Sequence, residues 1–189
     1  MDIVSAQQDN KVHPHKFILW VAIASIIMMF AGLTSAYIVK SGQANWQEVR
    51  LPGTFWYSTA VLLISSITIQ VAYRAIKQRE MNQYRSLLIV TLVLGIAFVT
   101  LQSIGFRWLW AHGVHFDGAG AGQFLYILFG LHALHVLGGI IALIIIILKQ
   151  YTGKTRSYNT VQAEVMSTYW HFVDFLWLYL LVFFVWIGK

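Results

Sequence analysis

Residues 164–179 read EVMSTYWHFVDFLWLY, and the apolar, aromatic-rich stretch that they open runs on to Ile187. Three ionisable residues, Glu164, His171 and Asp174, lie within this stretch or at its edge. A charged side chain in hydrocarbon costs at least about 2.5–3.5 kcal/mol on insertion scales. A chain that keeps three such groups must provide partners for them. The stretch therefore predicts a membrane helix with a buried polar face.

The composition is that of an integral membrane protein. Of the 189 residues, 58% are apolar and 11% are charged, with a mean hydropathy of +0.66. About a quarter of a soluble domain is charged. The chain has no cysteine, which excludes disulfides, thiolate metal ligands and C-x-x-C-H haem attachment. Its net charge of +6 lies mainly between the apolar runs, which indicates membrane topology rather than nucleic-acid binding.

Five apolar runs are each long enough to cross a bilayer, which takes about 20 helical residues. None shows the alternation of a barrel strand, and backbone groups in lipid must pair internally, so each run should be helical. The expected fold class is an all-α integral membrane bundle of five transmembrane helices over residues 17–189, after a polar N-terminal tail over residues 1–16. The helices are expected at about residues 17–39, 54–73, 86–106, 121–148 and 165–187.

Loop charge predicts the orientation of the bundle. Basic residues dominate the loops after the second and fourth runs, whereas the other two loops have fewer of them. By the positive-inside rule the two basic loops are cytoplasmic, which places the N-terminus in the cytoplasm and the C-terminus outside. Arg107 and Trp108 fall near the outer end of the third run, where they predict contact with phosphates and with the interface. Trp170 is also assigned to an interfacial role.

The buried polar residues form two groups. His132 and His135 share a face of the fourth helix, while Glu164, His171 and Asp174 share a stripe of the fifth. Imidazoles can bind zinc, copper or haem iron. However, at 1.5 Å per residue His171 lies about 10 Å from the cytoplasmic boundary and His135 about 21 Å. This difference in depth argues against one metal site shared by the two groups.

Polar anchoring between helices is therefore the favoured interpretation of both groups. Contact with lipid head groups, a partner subunit or a proton path stays open. Asp174 beside His171 is either half of a charge pair or a protonated acid that donates a hydrogen bond. No catalytic residue is predicted, because no phosphate-binding glycine loop, Ser-His-Asp set or pair of catalytic carboxylates can be drawn.

Three motifs, in the right order, resemble subunit III of the haem–copper cytochrome c oxidases. Residues 169–174, YWHFVD, with Trp177 after them and Glu164 seven residues before the histidine, resemble the signature of that family's last helix. Residues 130–136, GLHALHV, are similar to its G-x-H-x-x-H-V segment. Residues 55–63, FWYSTAVLL, with Ser65 and Ser66, are similar to its W-x-N-T-x-x-L-L-x-S-S segment, and Gln102 lies where the family has a related residue. The resemblance covers about residues 17–189.

The chain also departs from the family pattern. The long form of the family has seven helices, and this chain corresponds to the last five. The missing two form one arm of a V-shaped cleft that holds phospholipids. Ser25 and Ile26 lie where many members carry a buried glutamate, Gly105 replaces a second glutamate, and Ser58 stands where asparagine is usual.

The resemblance implies a non-catalytic subunit of a proton-pumping terminal oxidase in the inner (plasma) membrane of a bacterium. Such a subunit has no redox centre of its own, and the haems and copper belong to subunits I and II. It packs on subunit I, holds phospholipid, keeps proton uptake fast, and can join larger respiratory assemblies. On this interpretation Glu164, His171, Asp174, His132 and His135 form contacts between the fourth and fifth helices. The alternatives are an autonomous b-type cytochrome with histidine ligands and a small transporter.

Overall fold

The computed structural model describes residues 14–42, 51–114, 121–152 and 160–187, and all of its regular structure in these residues is helical. Each helix has 24 to 32 residues and is apolar enough to cross a membrane. At 1.5 Å per residue the helices are about 36 to 48 Å long, which exceeds the hydrocarbon core of about 30 Å. The prediction of five transmembrane helices is therefore confirmed. They are α1 (Pro14–Ser41), α2 (Thr54–Lys77), α3 (Met81–Ala111), α4 (Ala121–Thr152) and α5 (Thr160–Ile187).

The helices are longer than the apolar runs that predicted them. Apolar runs mark only the part of a helix that lies in hydrocarbon, whereas backbone pairing continues into the polar boundary. The first helix begins at Pro14, inside the segment assigned to the polar tail. Proline suits the first helical position, since the N–H that it lacks would have no helical partner there. The division into tail and bundle and the orientation of the termini stay predictions, and residues 1–13 lie outside the described ranges.

A tight turn joins α2 to α3 and sets them side by side. The Glu80 N–H donates to the Ala75 carbonyl at 3.0 Å, and the Arg79 N–H donates to the Ile76 carbonyl at 3.2 Å. Arg79 has a φ of +61°, a left-handed conformation that residues other than glycine rarely adopt. The turn is short enough to make α2 and α3 an antiparallel helical hairpin.

The last helix is the centre of the bundle. It packs against α1, α2 and α4, while α3 packs against α2 and α4. Within the described residues, the backbone of α1 comes close to α4 and α5 but to neither α2 nor α3. Large aromatic side chains from four helices fill the interior, and Phe55, Phe98, Phe129 and Trp177 are each at most 1% exposed.

Three glycines allow helices to approach large side chains closely. A Cβ at Gly95 of α3 would lie 3.0 Å from the Trp170 ring, and one at Gly139 of α4 would lie 3.2 Å from it. A Cβ at Gly105 would lie 2.6 Å from the Phe55 ring. Small residues at these positions let the membrane helices pack around the aromatic rings.

Candidate functional site: the polar contacts of the last helix

His171 is anchored to α2 through both of its ring nitrogens. Its Nδ1 lies 2.7 Å from the Ser66 hydroxyl, and its Nε2 lies 3.1 Å from the Gln70 side-chain oxygen. The expected partner was the fourth helix. The sequence did place His171 on the buried face of α5, but that face is turned toward the hydroxyl-rich side of α2.

Two tryptophans of α5 use the same side of α2. The Trp170 indole N–H donates to the Ser65 hydroxyl at 3.0 Å, and the Trp177 N–H donates to the Thr59 hydroxyl at 2.9 Å. Trp170 is 3% exposed, so it lies inside the bundle and not at the interface to which it was assigned. Its position follows from the space that Gly95 and Gly139 leave for its ring.

Asp174 lies one helical turn beyond His171 and is 4% exposed. Its Oδ2 atom makes no hydrogen bond within the described residues.

The two histidines of α4 have different surroundings. His132 is 1% exposed, with its ring centroid 5.3 Å from that of Trp177 and 6.1 Å from that of Phe98. Neither of its ring nitrogens makes a hydrogen bond within the described residues. His135 is partly buried, and its Nδ1 lies 2.7 Å from the Leu131 carbonyl of its own helix. The α4–α5 contact here comes from the Tyr169 hydroxyl, which donates to the His135 carbonyl at 2.9 Å.

Glu164 forms an ion pair with α1, whereas the expectation was a contact with the fourth helix. Its Oε1 lies 2.6 Å from the Lys16 Nζ, and both side chains are about one-third exposed. The ion pair joins the beginning of α1 to the beginning of α5. Partial exposure limits its strength, because water screens the charges.

Arg107 and Trp108 lie on the exposed surface near the end of α3. The Trp108 ring stacks on His112 with a centroid distance of 3.8 Å. Their exposure is compatible with a place at the membrane boundary, which stays a prediction.

Sequence reasoning missed the role of α2 as the polar partner of its neighbours. Gln102 of α3 donates to the Ser58 hydroxyl at 3.0 Å, and the Thr68 and Thr91 hydroxyls lie 2.8 Å apart. The missed signal is the pairing of Ser58-Thr59 with Ser65-Ser66 seven residues later, which puts four hydroxyls on one side of the helix. The structure brings residues 55–66 of α2 and residues 170–177 of α5, which carry two of the sequence motifs, together across one interface.

The described residues contain no group of three or more His, Asp or Glu side chains that could hold a metal ion. Imidazole, hydroxyl and indole groups instead meet one another across helix contacts. The class of protein that these features define is a multi-pass, all-α membrane protein whose buried polar residues mostly join its own helices.

Comparison with known proteins narrows this class to one family. The sequence profile described as cytochrome c oxidase subunit III matches residues 15–189. A probable cytochrome c oxidase subunit 3 of Mycobacterium tuberculosis is 32% identical over 166 residues, which cover 85% of this chain and 81% of the relative. A cytochrome c oxidase subunit 3 of Corynebacterium diphtheriae is 30% identical over 169 residues, covering 86% and 82%. A probable quinol oxidase subunit 3 of Staphylococcus epidermidis is 32% identical over 122 residues, covering 65% and 61%.

The chain belongs to the cytochrome c oxidase subunit III family, as the three sequence motifs predicted. It is accordingly an accessory subunit of a haem–copper oxidase.

Proposed function

We propose that this chain packs on subunit I of a proton-pumping terminal oxidase in a bacterial plasma membrane, beside subunit II, and carries no redox centre of its own. In this complex the partner subunits hold the haems and copper and reduce oxygen to water. The chain stabilises the complex, holds phospholipid and supports proton uptake. The observation that carries the proposal is that both ring nitrogens of His171 hydrogen-bond to α2, so that this histidine joins two helices of the chain.

The other candidate ligands support the same assignment. Glu164 pairs with Lys16, and the Nδ1 of His135 is taken up by a carbonyl of its own helix. His132 is enclosed by aromatic rings, with Trp177 on one side and Phe98 on another. An axial haem ligand needs an open path from an imidazole nitrogen to iron. These surroundings favour an anchoring role over that of an autonomous b-type cytochrome.

A groove between α1 and α5 supports the phospholipid assignment. It encloses about 330 Å³ and has an almost wholly apolar lining of side chains from both helices: Ile27, Phe30, Ala31, Phe172, Phe175, Leu176 and Tyr179. An apolar groove within the spanning part of two helices suits an acyl chain. Ala31→Trp should fill it, and lipid analysis of the purified complex should then show less tightly bound phospholipid than in the complex with Gly32→Ala, whose new methyl group meets no neighbour.

The principal experiment is His171→Leu in the assembled oxidase. The leucine cannot bond to Ser66 or Gln70, so the α2–α5 contact should weaken and less of this chain should remain bound after detergent purification through a tag on subunit I. The haem absorption spectrum should be unchanged. His112→Leu is the matched control, because His112 is exposed and stacks only on the end of α3. Loss of a haem band in the His171 variant would contradict the proposal.

Purification through a tag on this chain tests its partners. Mass spectrometry should identify subunits I and II, together with any larger respiratory assembly, and the preparation should contain haem. The chain freed of its partners should show no Soret band. A Soret band from the isolated chain would favour the b-type cytochrome.

The electron donor of the oxidase is either cytochrome c or a quinol. The actinobacterial relatives are named for cytochrome c, whereas the staphylococcal relative is named for quinol. Coverage is higher for the cytochrome c group at a similar identity, and we therefore propose cytochrome c as the donor. Oxygen consumption by the purified complex with reduced cytochrome c and with a quinol separates the two forms.

A further inference from the structure

Two polar side chains in the interior of the bundle have atoms without a hydrogen-bond partner. His132 of α4 is 1% exposed, and neither of its ring nitrogens makes a hydrogen bond within the described residues. Gln102 of α3 is 4% exposed, and its Oε1 atom likewise makes none in the part of the chain that the structure describes. Buried polar atoms of folded proteins nearly always have a partner, which is either a protein group or an ordered water molecule.

Two contacts define the register of α3 against α4. A Cβ built on Gly95 of α3 would lie 3.5 Å from Cγ1 of Ile140 on α4. Farther along the same two helices, the ring centroids of Phe106 and Phe129 are 6.3 Å apart. The second contact lies eleven residues later on α3 and eleven residues earlier on α4, so the helices are antiparallel and their residues stay level between the two contacts.

His132 and Gln102 lie between these contacts at almost the same depth. The register places Gln102 level with Ala133, one residue or about 1.5 Å along the axis from His132. Phe98, one helical turn from Gln102, has its ring centroid 6.1 Å from that of His132, so this side of α3 faces the imidazole. One water molecule joins polar atoms up to about 5.6 Å apart, the length of two hydrogen bonds of about 2.8 Å each. Side chains that face each other between helix axes about 8–10 Å apart are within such a reach.

The polar groups known to lie beside these two side chains already have partners. The Gln102 Nε2 atom donates to the Ser58 hydroxyl at 3.0 Å, and this hydroxyl donates to the Phe55 carbonyl at 2.9 Å. The indole N–H of Trp177, whose ring lies against the imidazole, donates to the Thr59 hydroxyl at 2.9 Å. Each of these donors is therefore used elsewhere and does not complete the hydrogen bonds of the imidazole or of Gln102 Oε1.

We propose that an internal water molecule binds between α3 and α4, where it bridges the His132 imidazole and the Gln102 Oε1 atom. A charge buried at this depth is costly, so the imidazole is neutral and has one N–H group. This N–H donates to the water, and the water donates to Gln102. Buried waters typically make about three hydrogen bonds with polar groups that otherwise have none.

The water site gives three helices one shared polar contact in the core. It connects α4 to Gln102 of α3, which in turn bonds Ser58 of α2. Both anchoring side chains lie beside the aromatic interior, where Phe98 and Trp177 flank His132. This inference goes beyond the accessory role proposed above and does not depend on which oxidase subunits accompany the chain.

A high-resolution density map of the complex, purified through a tag on this chain, tests the site. It should show a water peak about 2.6–3.2 Å from a ring nitrogen of His132 and at a similar distance from Gln102 Oε1. His132→Phe should lose the peak. His135→Phe is the matched control and should keep it, because the His135 Nδ1 atom bonds a carbonyl of its own helix. A direct bond between the imidazole and Gln102, or no peak at this position, would overturn the proposal.

A double-mutant cycle in the full chain provides a second measurement. Removal of either anchoring side chain releases the water, so the second removal should change the unfolding equilibrium constant less than it does alone. His132→Phe and Gln102→Leu together should thus depart from the product of their separate effects by about twofold or more. The control cycle of His135→Phe with Gln102→Leu should be multiplicative. Multiplicative effects in both cycles would contradict a shared water, and the wild-type map tests the site even if His132→Phe does not fold.

Discussion

Gly105 of α3 lies against the ring of Phe55, and replacing it with alanine should destabilise the bundle. A Cβ built at this position lies 2.6 Å from Phe55 Cε1 and 3.1 Å from Phe55 Cζ. Carbon atoms in contact settle at about 3.5–4.0 Å, so the ring or the helix would have to move by about 1 Å. The change therefore adds atoms where the core is already filled.

The Phe55 ring cannot turn away easily. It is 0% exposed and has edge contacts at 5.3 Å with Phe129, 5.9 Å with Trp177 and 6.4 Å with Phe106. Inserting a methyl group into a well-packed core typically costs about 1–3 kcal/mol. Removing a helical glycine gives back about 0.5–1 kcal/mol, so we expect a net loss of about 0.5–2 kcal/mol.

Thermal or denaturant unfolding of the purified chain in detergent measures this loss. Gly130→Ala is the matched control, because Gly130 is also helical but a Cβ there has no neighbour within 4 Å. The control should leave stability unchanged or raise it. Adding Phe55→Leu to Gly105→Ala should recover part of the loss, since the smaller side chain makes room. If Gly105→Ala were as stable as Gly130→Ala, the packing argument would be refuted.

Three further changes test other parts of the structure by the same unfolding measurement. Trp177→Phe should lower the free energy of unfolding by about 1–3 kcal/mol, because it removes both volume and a hydrogen bond. Trp186→Phe, at a residue that is 78% exposed, should be nearly neutral. Equal losses of stability in the two variants would contradict the hydrogen bond assigned to Trp177. Arg79→Gly should stabilise the α2–α3 turn by about 1 kcal/mol, because glycine adopts the left-handed backbone without strain. Gln78→Gly, at φ −83°, should instead destabilise the turn. If Gln78→Gly were the more stable variant, the turn would not be strained at Arg79. Glu164→Gln should cost at most about 1 kcal/mol and should remove a salt-dependent part of the stability; a larger, salt-independent loss would show that the ion pair is not its cause.

The sequence predicted the number and type of the membrane helices because hydrocarbon imposes a strong rule. A run of about 20 apolar residues must pair its backbone internally, and this leaves a helix as the only solution for an isolated span. Helix ends are less constrained, since water can satisfy backbone groups there. This explains why α3 begins at Met81 rather than near residue 86.

Partners of the buried residues were harder to predict. Spacing shows which side chains share a face, and it placed His171 and Asp174 on one stripe correctly. Spacing says nothing about which neighbour that face meets, which depends on how five helices pack together. His171 therefore reaches Ser66 of α2 rather than the fourth helix, although the adjacent hydroxyls of α2 were visible in the sequence.

The contacts of α5 also determine when the bundle can assemble during synthesis. The hydroxyls of Thr59, Ser65 and Ser66 on α2 find their α5 partners only after the ribosome has made the final helix. Within the described residues, the backbone of the first helix likewise comes close to no other helix until α4 and α5 are inserted. A nascent chain must therefore wait in the bilayer with its polar surface uncovered, and a chain truncated before Thr160 would keep that surface open to quality-control proteases.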